Sequence, residues 1–302
     1  ARSAFTLLVA GFGVKAALMP LHGWLPDAMV APTPVSGLLH AVAVVKSGAF
    51  GIIRVVLYVF GPDGVQTFGV GIPLAVLAAV TMILAGVLAL RQDRLKRGLA
   101  YSTVSQLSYI VMGVAVLTPA AVQGALLHLS AHAFMKLVLF FCAGIIYVET
   151  HVERIDELGG IGRRLPATMT TFAISSAGLV GLPLVAGFVS KWYLLTGLFA
   201  GGHLVFAGLL LTAGLLKLLF FWPIVAEAFF TDTESPTSRS SNVAHADGGH
   251  ERWESRSWRE ESDWRLLVPV CVALVVAIVF GIVPTTLPFY EFPAQIVEVL
   301  FG

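Results

Sequence analysis

HLSAHAFMKLVLFF, residues 128–141, is the stretch on which the reading of this chain turns. Two histidines and a lysine sit there inside an apolar run that extends from about 120 to 148. A run of that length is enough for a membrane span, which needs roughly 20 mostly apolar residues. His128, His132 and Lys136 stand at i, i+4 and i+8, so on a helix they stack along one face. Ionisable groups inside a span are costly and rare. The stretch therefore predicts a membrane helix and asks what its charges are for.

The rest of the chain agrees with a membrane setting. Of 302 residues, 57% are hydrophobic and only 12% charged, with a mean hydropathy of +0.86. Soluble domains carry about 25% charged residues, so the composition indicates an all-α polytopic protein in a lipid bilayer. A net charge of +1 gives no basis for nucleic-acid binding. Cys142 and Cys271 lie in apolar runs without disulfide or metal-site spacing. No nucleotide-binding loop or dinucleotide fingerprint occurs, so no cofactor is expected. The opening AFTLLVAGFGVKAALMP is already part of a span and no signal-peptide cleavage site follows it. The expectation is the C-terminal part of a longer protein.

Hydropathy divides the chain into about eight spans, at 3–31, 34–58, 70–90, 97–117, 120–148, 166–199, 203–230 and 265–289. Residues 1–230 read as one transmembrane domain, 231–264 as a polar, serine-rich loop and 265–302 as a last span with a tail. Basic residues settle the orientation. Arg91, Arg94, Lys96 and Arg97, then Arg154, Arg163 and Arg164, then Arg239, Arg252, Arg256, Arg259 and Arg265 fall in loops on one side. Only Arg2 and Arg54 fall on the other. The basic side is expected to be cytoplasmic, and the C-terminus outside.

The loop cations are nearly all arginine, whereas the span cations are lysine: Lys15, Lys46, Lys136, Lys191 and Lys217. Snorkelling to a helix end accounts for Arg54 but not for Lys46, Lys136 or Lys217, which are central in their spans. A central Lys costs about 2.5–3.5 kcal/mol on insertion scales; five cost roughly as much as a domain's net stability. An internal hydrated pathway accounts for retaining them. Lysine suits proton exchange because burial disfavours the charged amine, while arginine stays protonated. His40 with Lys46, and His128 and His132 with Lys136, add groups that donate and accept near neutral pH. Three other readings stand beside the relay: core histidines with ordinary hydrogen bonds, a metal on His128 and His132, and a bis-histidine haem site using His40. The metal site lacks a third ligand nearby.

Two spans are interrupted, by PLHGWLP in the first and by GLPLVAGF in the sixth. Broken helices at membrane depth are tolerated where they line protein or water, and paired broken helices are a mark of transporters built on inverted repeats. Each break has a lysine beside it and another one span later: Lys15 then Lys46, Lys191 then Lys217. The spans hold no central carboxylate, so an acidic partner is expected elsewhere.

LMPLHGWLPDAMVAPTPVSGLLHAVAVVKSGAFGIIRV, DRLKRGLAYSTVSQLSYI, HLSAHAFMKLVLFFCAG and GLPLVAGFVSKW resemble the proton-conducting antiporter family. That family includes Mrp-type Na⁺/H⁺ antiporter subunits, antiporter-like subunits of respiratory complex I (NADH-quinone oxidoreductase) and related hydrogenase subunits. The resemblance implies a 14-helix inverted-repeat subunit in the cell membrane, of which this chain would hold helices 7 to 14. It implies partner subunits of a membrane antiporter or respiratory complex, transport of H⁺ and Na⁺, and a missing glutamate partner on an absent helix. It implies that Lys15, Lys46, His40, His128, His132, Lys136 and Lys191 form a proton relay, with Lys217 at its end or in a structural role. Lys46 and Lys217 favour the Mrp branch over the complex I branch. A membrane scaffold that moves no ions is the remaining class.

Overall fold

The computed structural model describes residues 1–38, 43–231, 257, 261–286 and 288–302. The described residues are helical throughout, with one isolated β-bridge. The helices are α1 (Arg2–Lys15), α2 (Trp24–Asp27), α3 (Thr33–Gly37), α4 (Val44–Arg54), α5 (Gly61–Phe68), α6 (Gly71–Leu90), α7 (Leu95–Ala115), α8 (Pro119–Thr150), α9 (Pro166–Val180), α10 (Ala186–Ala200), α11 (Leu204–Phe230), α12 (Trp264–Ile282) and α13 (Pro288–Phe301). His40 lies outside the described residues, as does most of the polar loop at 231–264, including Arg239, Arg252, Arg256 and Arg259.

The bundle is apolar on its outside, and its largely apolar core encloses a set of polar side chains. Leu77, Val80 and Leu84 on α6, Leu211, Leu215 and Leu219 on α11, and Val268, Val272 and Val275 on α12 are exposed. The fully buried set includes Ser102, Ser105, Gln106, His128, His132 and Lys136. That arrangement suits hydrocarbon outside and polar groups satisfied within. Helix α7 lies innermost, buried along nearly its whole length, against α6, α8 and α4.

Among the described residues four helices, α6, α8, α11 and α12, are individually long and apolar enough to cross a membrane, or five when Val44–Val59 and Gly61–Phe68, bent by 89°, count as one. Expected spans fall short of that test where proline or polar residues intervene. The first and sixth divide at their breaks, and α7 carries a row of serines. The last ends at Ile282, before Pro284, and α13 follows as a helix that hydropathy did not predict.

The first break begins earlier than its prolines suggest. Helix α1 ends at Lys15, and Ala17 has a left-handed φ of 56°. The cause is Pro20, whose ring would clash with the carbonyl four residues back, at Ala16. At Gly48 a side chain would collide with the Ala16 backbone, so α4 crosses α1 at the break through its glycine.

Two of the basic loops, at 91–97 and 151–164, lie together at one end of the bundle. Leu95 N donates to Glu153 O at 3.0 Å and Ile155 N to Asp93 O at 2.8 Å. Gly160 N reaches Glu227 O at 2.9 Å, bringing the end of α11 to the same face. Buried Glu261 caps α9 there, accepting from Ala167 N at 2.6 Å, Thr168 N at 2.9 Å and Thr168 Oγ1 at 2.7 Å.

Candidate functional site: a buried lysine and histidine axis

Helix α8 runs 32 residues without interruption, so His128, His132 and Lys136 form a straight row spanning about 12 Å at 1.5 Å per residue. All three are fully buried. Lys46 on α4 meets the row, with its Nζ 2.6 Å from His132 Nδ1. A contact that short between two nitrogens requires one hydrogen between them, and either atom can carry it. The contact is thus one hydrogen bond whose donor depends on the tautomer of the ring. His132 Nε2 has no hydrogen-bond partner among the described residues.

Lys136 donates to Leu99 O at 2.9 Å and to Ser102 Oγ, both on α7. Lys217 on α11 donates to Ser105 Oγ at 2.8 Å, with Tyr109 OH at 3.3 Å and Ala213 O at 3.4 Å. The Tyr109 ring lies between two ammonium groups, 4.6 Å from Lys217 Nζ and 5.3 Å from Lys191 Nζ. It also stacks on His128 with centroids 5.6 Å apart.

The second break supplies the socket for Lys191. In a continuous helix residue 183 would donate to the carbonyl of Leu179, but Pro183 has no N–H. Leu179 O is left open and accepts from Lys191 Nζ and from Gln106 Nε2, the latter at 3.0 Å. Val180 O accepts from Lys191 Nζ at 2.8 Å. Gly181 has φ of 107°, and a Cβ there would stand 3.0 Å from Lys191 Cδ. The chain thus turns away from α9 at the one residue that leaves room for the lysine. His128 completes the network, with Nδ1 2.8 Å from Ser190 Oγ and Nε2 2.7 Å from Gln106 Oε1.

The structure gathers six of the eight residues singled out from sequence: Lys46, His128, His132, Lys136, Lys191 and Lys217. Lys15 is exposed at the end of α1 and has no hydrogen bond to the network among the described residues. Among the described residues, the acceptors on the buried lysines are carbonyls, hydroxyls and an imidazole, with no carboxylate among them. The ion pairs Arg94–Glu153 (3.8 Å), Arg97–Asp27 (3.7 Å) and Arg154–Asp156 (2.9 Å) all lie at the basic end on exposed side chains. Five participants escaped the sequence reading: Ser102, Ser105, Gln106, Tyr109 and Ser190. Four of them follow helical spacing in YSTVSQLSY on α7, which was the available signal. Among the described residues no group of three or more metal-ligating side chains exists, and both described cysteines are free.

A helix bundle with an apolar exterior and a buried row of lysines and histidines defines a polytopic membrane protein. The chain belongs to the family described as NADH:quinone oxidoreductase/Mrp antiporter, transmembrane, which it matches over residues 2–217. It is 36% identical over 280 residues to NADH-quinone oxidoreductase subunit N of Desulforudis audaxviator, covering 92% of this chain and 54% of that protein. It is 41% identical over 210 residues to NADH-quinone oxidoreductase subunit L of Escherichia coli, covering 68% of this chain and 33% of the relative. The chain therefore spans between a third and about half the length of these relatives. Its fold matches a chain of the Mrp complex from Dietzia sp. with a TM-score of 0.82 at 24% identity, covering 100% of this chain and 60% of that one. It also matches a chain of respiratory complex I from Thermus thermophilus with a TM-score of 0.75 at 20% identity, covering 99% and 59%.

Proposed function

We propose that this chain is the lysine-bearing part of a proton-translocating subunit of a multisubunit Na⁺/H⁺ antiporter in the cell membrane. Protons pass by way of Lys46, His132, His128, Lys136, Lys191 and Lys217, through water between them. Lys15 and His40 are the members proposed from sequence. The observation that carries the reading is the 2.6 Å contact of Lys46 with His132, set among buried lysines whose acceptors are neutral. A structural ion pair would place a carboxylate there; a shared proton between two bases supports transfer. Lys46 and Lys217 favour the Mrp branch.

The second reading is a proton-pumping subunit of a redox-driven complex, favoured by the names of the curated relatives. There the redox centres reside in partner subunits and this chain only moves protons. The two are separated in inverted membrane vesicles that contain the complete parent complex. With a preformed pH gradient followed by a pH-sensitive dye, Na⁺ collapses the gradient in wild type and not in an assembled Lys136→Ala complex. Pumping driven by a reductant, with no Na⁺ response, selects the redox-driven reading. An assembled Lys136→Ala complex that behaves as wild type in both assays rejects the relay.

A further inference from the structure

His128 and His132 are equivalent in the sequence pattern, but the structure binds them differently. His132 Nε2 has no hydrogen-bond partner among the described residues, whereas both nitrogens of His128 are engaged. Gln106 donates from Nε2 to Leu179 O at 3.0 Å, which turns its Oε1 towards His128 Nε2 at 2.7 Å. An amide oxygen only accepts, so His128 Nε2 carries a hydrogen. Nδ1 alone remains to gain or lose a proton, and it faces Ser190 Oγ at 2.8 Å. The serine hydroxyl has a second acceptor within reach, Gly187 O at 3.1 Å.

Two arrangements satisfy every one of these atoms. In the first, His128 is neutral and the Ser190 hydroxyl donates to Nδ1. In the second, His128 is an imidazolium, Nδ1–H donates to Ser190 Oγ, and the hydroxyl points its hydrogen to Gly187 O. Neither leaves a buried polar atom unpaired, and they differ by one proton on Nδ1 and by the direction of the hydroxyl hydrogen. Ser190 and His128 are both fully buried, so bulk water does not substitute for either partner.

We propose that Ser190 is a positioning residue whose hydroxyl rotation lets His128 take up and release a proton at Nδ1, with Gln106 holding the tautomer. The inference rests on the proton-relay reading. In uptake, a proton from an ammonium group of the axis reaches Ser190 Oγ through intervening water while the hydroxyl's own proton passes to Nδ1, and the new O–H turns to Gly187 O. The lysine is left as a neutral amine and the imidazole carries the charge; release reverses both transfers. The groups that face His128 are Lys191 on α10, Lys46 on α4, Lys217 on α11, His132 on its own helix and Tyr109 on α7. Gln106 and Lys191 share the Leu179 carbonyl, so the tautomer lock and the lysine socket are held by one atom.

The test uses the complete complex in vesicles, with Ser190→Ala and Ser190→Thr read for rate and pH profile. Ser190→Ala removes the acceptor that the imidazolium needs. Its transport falls about tenfold or more, the scale of one hydrogen bond to a charged group, and its pH profile moves to lower pH. Ser190→Thr restores the hydroxyl and recovers both. An assembled Ser190→Ala complex with wild-type rate and profile overturns the proposal, as does a loss that Ser190→Thr leaves in place. If Ser190→Ala does not assemble, Ser190→Cys keeps the volume with a weak donor, and a wild-type profile there overturns the proposal equally. Lys136→Ala separates the two levels. Normal transport in that variant removes the relay itself, whereas its loss beside a normal Ser190→Ala removes only the hydroxyl switch.

Discussion

Tyr109 offers the sharpest contrast between a ring and a hydroxyl. Its OH makes two long contacts, 3.3 Å from Lys217 Nζ and 3.4 Å to Leu210 O. Its ring has Lys217 Nζ at 4.6 Å, Lys191 Nζ at 5.3 Å and His128 stacked at 5.6 Å. Hydrogen bonds at the outer limit of distance contribute well under ~1 kcal/mol. A desolvated cation over a ring is stabilised by up to about 2 kcal/mol, and the stacked pair adds about 0.5–1.5 kcal/mol. The ring therefore dominates. Tyr109→Phe keeps every ring contact, and transport falls less than about fivefold, the equivalent of ~1 kcal/mol. Tyr109→Leu removes the platform from both ammonium groups at once, and transport falls roughly 30-fold or more, the equivalent of ~2 kcal/mol. The assay is Na⁺-driven gradient collapse in vesicles, normalised to assembled subunit by immunoblot. If Tyr109→Phe is as damaging as Tyr109→Leu, the hydroxyl is a member of the relay and the ring argument is refuted.

Three further outcomes follow from the same geometry. Gly181→Ala places a Cβ at φ of 107° and 3.0 Å from Lys191 Cδ; a strained backbone of this kind costs on the order of 1–3 kcal/mol, read as a lower melting temperature of the detergent-purified complex together with slower transport. Glu261→Gln removes the charge that accepts three hydrogen bonds at the start of α9, and the same melting assay detects a loss of about 1–2 kcal/mol, with an unchanged midpoint counting against the cap. The hydroxyls of Thr103 and Ser108 bond back to Leu99 O at 3.0 Å and Val104 O at 3.0 Å, whereas that of Ser102 accepts from Lys136. Ser108→Ala accordingly transports as wild type and Ser102→Ala does not, and equal rates in the two refute the assignment.

What could be read from the sequence was whatever contrasts with its surroundings. Lysines and histidines in an apolar run are conspicuous, so Lys46, Lys136, Lys191, Lys217, His128 and His132 stand out in the sequence itself. The i, i+4, i+8 row held because α8 is continuous over it. Hydroxyls and amides are far less conspicuous, since a serine in a membrane helix can bond its own i−4 carbonyl. Ser108 does that, and nothing in its local sequence separates it from Ser102 or Ser105; only the arrival of Lys136 and Lys217 from other helices does. Helix breaks were legible through proline and glycine, but their onset was not, because Pro20 acts on a carbonyl four residues upstream. The exposure of Lys15 was also hidden, since exposure depends on neighbours and not on the residue itself.

Helix α9 carries a buried carboxylate at one end and a buried ammonium at the other. Glu261 sits at the N-terminus near the basic loops, and Lys191 sits at the C-terminal carbonyls in the middle of the bundle. Both charges oppose the helix macrodipole and stabilise it. With 15 residues, α9 separates them by about 22 Å at 1.5 Å per residue. The unit is a rod balanced at both terminals by side chains that belong to other segments of the chain. Without the Lys191 charge, the dipole of α9 would be balanced at the loop face alone.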